Sequence, residues 1–214
     1  MPDAQKILSR LRREFRRGET FLDHRNTWEL VVATQLSAQC TDARVNLVTK
    51  KLFRKYRKIG DYADAKPREF ERDIFSTGFY RNKTRNILAA AKMVRDRFGF
   101  VVPNRMDDLL KIPGVGRKTA NIILSQGFGL NEGIAVDTHV QRVSQRLGLT
   151  KDKSPEKIEG NLMKLVGPHE YSWLSTALIR HGRKTCHARK PACPECMLRK
   201  LCPSAGYFWK TESG

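Results

Sequence analysis

Apolar residues in this chain recur every three or four positions over most of its length and almost never every second one, so helices rather than strands must bury them. Ile7, Leu8, Leu11 and Phe15 set the period, and Trp28, Val31, Val32 and Leu36 repeat it. It continues through Val45 to Phe53, Pro67 to Phe75, Lys83 to Phe98 and Met106 to Leu110, with punctuation at Gly60, Thr77-Gly78 and Gly99. After a glycine-rich turn, Ala120, Ile123 and Leu124 form another apolar face, and Gly127-Phe128-Gly129 with Gly133 opens a loop. Helices resume at about Asp137, with Val140, Val143 and Leu147 as one stripe and Ser154-Pro155-Glu156-Lys157 as a capped start. Trp173 to Ile179 reads as the last long helix, and the tail from Pro203 to Gly214 shows no period and is expected to be partly disordered. No repeat or long linker interrupts the chain, so the expected fold is all-α, as one domain or two small lobes.

The chain has 214 residues, enough to bury a substantial core. Its 41 Lys and Arg outweigh 22 Asp and Glu, and the net charge of +19 makes a polyanion the natural partner. A membrane surface is also anionic. No stretch approaches the roughly 20 apolar residues of a spanning helix, however, and no lipidation signal accompanies a basic amphipathic helix. Nucleic acid is therefore the expected partner. The first twenty residues are too charged for a secretory signal, which places the protein inside the cell with its DNA, where disulfides are not expected.

Four of the five cysteines, Cys186, Cys193, Cys196 and Cys202, fall in one short segment with the spacing C-x6-C-x2-C-x5-C, followed by Pro203. Four thiolates in a compact loop bind metal. Tetrahedral zinc is one candidate, but zinc knuckles generally use two paired hooks and only Cys193 and Cys196 form one. A single Cys-x2-Cys within wider spacings, ending in Cys-Pro, leans toward a [4Fe–4S] cluster. Lys184, Arg189, Lys190, Arg199 and Lys200 surround the cysteines, as suits a basic loop that meets phosphates. Cys40 lies far away and reads as a buried thiol rather than a ligand.

The segment Leu110-Lys111-Ile112-Pro113-Gly114-Val115-Gly116-Arg117-Lys118-Thr119-Ala120 joins two helical patterns. A dinucleotide fingerprint would need a preceding strand and a third glycine where Thr119 stands, and a P-loop would need Lys directly after Gly116, where Arg117 stands. What remains is a hairpin whose glycines permit close approach and whose second helix offers N–H groups to a phosphate. Gly114, Val115, Gly116 and Arg117 are its candidate DNA contacts.

This stretch resembles the helix-hairpin-helix signature of the endonuclease III family of DNA glycosylases. The resemblance extends through Leu36-Ser37-Ala38-Gln39, Gly78-Phe79-Tyr80, Ala135-Val136-Asp137-Thr138-His139 and the four cysteines, covering nearly the whole chain. It implies two helical lobes: residues 22–133 carrying the hairpin, at about 106–125, and residues 1–21 plus 134–214 carrying the cluster loop, 186–202. It also implies a base excision repair glycosylase with lyase activity on oxidised pyrimidines or abasic sites in duplex DNA, acting as a monomer. Lys118 is then the Schiff-base nucleophile, Asp137 its essential partner, and the cysteines hold a [4Fe–4S] cluster. Gln39 and Phe79 are candidates to enter the DNA stack, Phe79 standing where well-known bacterial members carry leucine.

Those residue types suit the chemistry. Cleaving a base from deoxyribose builds positive charge on the sugar, which calls for a nucleophile at C1′ and an anion close by. Arg117, the helix start and desolvation by DNA would each lower the pKa of Lys118 toward a reactive amine. Asp137 opens a helical pattern, so an N-cap role is expected alongside the electrostatic one. An alternative from another class is a non-catalytic iron–sulfur module that only binds DNA. Lys118 together with Asp137 distinguishes the two.

Overall fold

The computed structural model describes residues 3–15 and 20–210, and it is helical, with no strand among them. Residues 1–2, 16–19 and 211–214 lie outside the described residues. The chain divides into two compact units: Met1–Glu19 with Asn131–Gly214, and Thr20–Leu130.

Beginning with α1 (Ala4–Glu14) in the first unit, the chain passes into the 20–130 unit through α2 (Thr27–Leu36), α3 (Asp42–Lys55), α4 (Ile59–Ala63), α5 (Pro67–Ile74), α6 (Tyr80–Phe98), α7 (Met106–Leu109) and α8 (Arg117–Ile122). Every residue of α2 from Trp28 to Leu36 is buried. A helix buried on all sides must be central, and α3, α6 and α8 pack against it. Its one buried charge, Glu29, is held by Arg25 Nε and Nη2 and by the Arg25 N–H, while Asn26 Oδ1 accepts the Glu29 N–H at 2.9 Å to cap the helix. Trp28, Tyr56, Tyr62 and Phe70 form an aromatic cluster with ring centroids 5.2–5.9 Å apart. Gly60, expected as punctuation, lies inside the one-turn helix α4. Asp61 Oδ2 accepts the N–H groups of Arg57 and Lys58 there, at 2.7 and 2.9 Å, which starts a helix that apolar spacing does not reveal. After α8 the chain widens into a π-helical turn, Ile123–Gly127, that closes against Thr27 Oγ1.

In the other unit, α1 is joined by α9 (Thr138–Arg146), α10 (Pro155–Met163), α11 (Tyr171–Lys184) and α12 (Ala205–Lys210). Ser154 caps α10, with Pro155 in its first turn, as its sequence predicts. Trp173 fixes α1 on α11: its Nε1 donates to Phe15 O at 2.8 Å, and Arg12, paired with buried Glu170, lies over its ring at 5.3 Å. The tail corrects its expectation. Residues 205–210 are helical despite the missing period, because Ala205 is buried and Phe208 lies under the Arg146 guanidinium at 4.4 Å. No described helix is long and apolar enough to cross a membrane.

Candidate functional site

The hairpin lies between α7 and α8. Gly114 adopts a left-handed φ of 78°, and the Val115 N–H donates to Ile112 O at 3.0 Å to close the turn. Val115 is 6 % exposed: its side chain anchors the hairpin inward, leaving Gly114, Gly116, Arg117 and Lys118 at the surface. The hairpin is braced from α2, where Gln35 Nε2 donates to Pro113 O at 3.1 Å. A Cβ at Gly114 would meet Gln35 Oε1 at 2.5 Å, so backbone conformation and space both demand glycine there. Gly114→Ala should therefore destabilise the protein by about 2–3 kcal/mol in urea titrations and weaken binding to undamaged duplex.

Gln39 and Phe79 belong to the same unit. Both are exposed, Phe79 at 65 %, and both hold left-handed backbone, φ 52° and 48°. Bulky residues rarely adopt that region, and strain of this kind gathers at functional positions. Gln39 follows the C-terminus of α2, and Phe79 follows a 3₁₀ turn, Phe75–Thr77, to become the N-cap of α6.

Asp137 is the N-cap of α9: its Oδ1 accepts the Val140 N–H at 2.8 Å. The segment leading into it is held by two buried side chains that sequence reasoning did not single out. Ser175 Oγ donates to Ala135 O at 2.7 Å, and Glu159 Oε1 accepts the Ile134 N–H at 3.2 Å. Glu159 sits between Ile158 and Leu162 on the apolar face of α10, and a charge in such a stripe is the signal that was available.

The four clustered cysteines converge. Cys186, Cys193, Cys196 and Cys202 line one small cavity, together with His181 and Arg146. None of the four is in a disulfide, and Cys40 belongs to the other unit. Among the described residues no three His, Cys, Asp or Glu side chains close on a single ion. Burial pushes the Cys196 and Cys202 thiols up, and the neighbouring cysteines add to this. Two arginines of α9 hold the entry to the loop: Arg142 Nη2 donates to Gly182 O and Cys186 O at 3.1 and 3.0 Å, and Arg146 Nη2 to Ala188 O at 2.9 Å. Arg146 Nη1 lies 3.5 Å from Cys186 Sγ. Lys184, expected to meet phosphate, is ion-paired with Glu14 on α1.

Residues 32–168 match the model of the HhH-GPD superfamily of base excision DNA repair proteins. The chain is 48 % identical over 202 residues to the endonuclease III of Synechocystis sp., covering 94 % of this chain and 92 % of that one. Among solved structures it is similar to an endonuclease III in a non-covalent complex with DNA, with 45 % identity, a TM-score of 0.93, and coverage of 98 % of this chain and 100 % of that one. It is also similar to an endonuclease III trapped as a covalent intermediate with DNA, with 46 % identity, a TM-score of 0.92, and coverage of 97 % and 99 %.

Proposed function

Since the chain belongs to the endonuclease III family of HhH-GPD base excision repair proteins, we propose that it removes oxidised pyrimidines from duplex DNA and nicks the strand with Lys118 as nucleophile and Asp137 as its anionic partner. The observation that carries this reading is the braced hairpin that presents Lys118 at the surface of a chain nearly half identical to an enzyme trapped covalently on DNA. Gly114, Gly116 and Arg117 grip phosphate without reading sequence, and the +19 charge draws the duplex in. Inside the cell the partner is double-stranded DNA carrying damaged bases or abasic sites, and the protein works as a monomer.

With the target nucleotide turned out of the stack, the Lys118 amine attacks C1′. The new N–C1′ bond forms as the C1′–base bond breaks, and the base leaves with the electron pair and takes up a proton. Ring opening then gives an imine between Lys118 and the sugar. Loss of the C2′ proton expels the 3′ phosphate by β-elimination, and water releases the lysine. Asp137 Oδ1 is occupied as a cap, so Oδ2 is assigned to the positive charge that develops on the sugar and imine.

Cys186, Cys193, Cys196 and Cys202 would hold a [4Fe–4S] cluster in the cavity that they line. When bound, the cluster cross-links a loop with little regular structure of its own and supplies a group capable of one-electron chemistry. Cys196→Ser should lower bound iron and visible absorbance and reduce the thermal midpoint, because binding energy at such a site is folding energy. The reading as a whole is tested by incubating the protein with duplexes bearing single defined lesions: oxidised pyrimidines should be cut and trapped by borohydride, and undamaged duplex should be neither.

A further inference from the structure

Lys83 is a cation on an apolar stripe. On α6 it stands in line with Ile87, Ala90 and Val94, and like them it is buried, only 5 % exposed. A methionine, unbranched and one atom shorter, would occupy that place without the cost of desolvating a charge. The Lys83 ammonium instead donates to two main-chain carbonyls, Leu36 O at 2.7 Å and Thr77 O at 2.8 Å. Leu36 ends α2, where helix carbonyls lack internal partners and the dipole favours a cation. Thr77 ends the 3₁₀ turn, and the Lys83 backbone N–H also donates to Phe79 O at 3.1 Å.

These carbonyls belong to the two turns that carry the strained, exposed residues. Gln39 follows Leu36 by three positions and Phe79 follows Thr77 by two, and both have left-handed φ. One buried side chain thus ties the two turns together. We propose that Lys83 is a positioning residue that joins the Gln39 and Phe79 turns into a single preformed, two-pronged wedge for the DNA stack. The proposal rests on the reading of the chain as a glycosylase that turns a nucleotide out of duplex DNA. A wedge held in place before binding loses less entropy on entering the stack, and so lowers the barrier to extrusion rather than to bond breaking.

The test is a double-mutant cycle on holoenzyme with a lesion-bearing duplex, using Lys83→Met alone, Gln39→Ala with Phe79→Ala, and all three together. Lys83→Met should lower kcat/KM on the duplex by about 10–100-fold, the scale of a misplaced group remote from the chemistry. The fluorescence rise of a 2-aminopurine beside the lesion, which reports unstacking, should fall with it. On the same lesion opposite a one-nucleotide gap the loss should shrink to about twofold or less, and in the wedge-less background Lys83→Met should add about twofold or less. An equal loss in both backgrounds, or full activity of Lys83→Met on the duplex, would overturn the proposal. If Lys83→Met does not fold, Lys83→Gln, which keeps N–H donors on a stem one atom shorter, is read by the same criteria. A wild-type protein inactive on every duplex would overturn the glycosylase reading and this proposal together; an active wild type with an additive cycle overturns this proposal alone.

Discussion

Lys118→Gln is expected to leave binding to an abasic-site duplex within a few-fold of wild type while lowering strand nicking on the order of 10³-fold or more and abolishing the borohydride-trapped complex. Lys118 is exposed just past a turn whose geometry is set by Gly114, Gln35 and the inward-facing Val115, so the amide should be accommodated without repacking. Binding persists because the phosphate grip comes from the hairpin backbone and the general positive charge, and glutamine alters neither beyond one charge of nineteen. A trapped complex that survives the substitution would show that another amine attacks C1′. Lost binding with trapping in proportion would make Lys118 only one more phosphate contact.

Asp137 allows a cleaner separation, because its two roles respond differently to two substitutions. Asparagine caps helices about as well as aspartate, so Asp137→Asn should keep the bond to the Val140 N–H and lose only the charge. Nicking is then expected to fall on the order of 10²–10³-fold while the thermal midpoint changes little. Asp137→Ala removes the cap as well and should cost about 1 kcal/mol of stability on top of a comparable loss of activity. Equal activity of Asp137→Asn and wild type would reduce Asp137 to a helix cap. Denaturation midpoints measured beside the rates distinguish these outcomes.

Much of this was legible in the residue order because its signals are local. The helical period places α2, α3, α5 and α6 within a few residues, and the caps at Asp137 and Ser154 follow from side chains that bond their own backbone three positions on. The hairpin is legible for the same reason, since Gly114 answers to a backbone torsion. Cysteine spacing alone kept zinc and an iron–sulfur cluster both open, and the family resemblance implied the cluster. The structure then placed the four thiols around one cavity.

Where tertiary packing adds to what the residue order shows, the physical origin is shared. Val115 has the same sequence context as its exposed glycine neighbours, yet its side chain points into the core, because the turn that frees Gly114 rotates the next residue inward. Gly60 breaks the apolar period but not the helix, since Asp61 supplies a cap. Lys184 stands at the start of the basic loop, and α1 brings Glu14 to it from 170 residues away.

By itself, then, the order of residues determined most of the longer helices, the caps at Asp137 and Ser154, the hairpin and the density of thiols, all set by interactions within about one helical turn. Only the tertiary structure decided which isolated polar residues matter. Gln35 braces the hairpin across 78 residues, Lys83 joins two turns across 47, and Ser175 and Glu159 hold the approach to Asp137 across 40 and 25. In the sequence each is merely a polar residue among apolar ones. A buried donor or acceptor must find its partner wherever packing brings one, and periodicity carries no record of where that is.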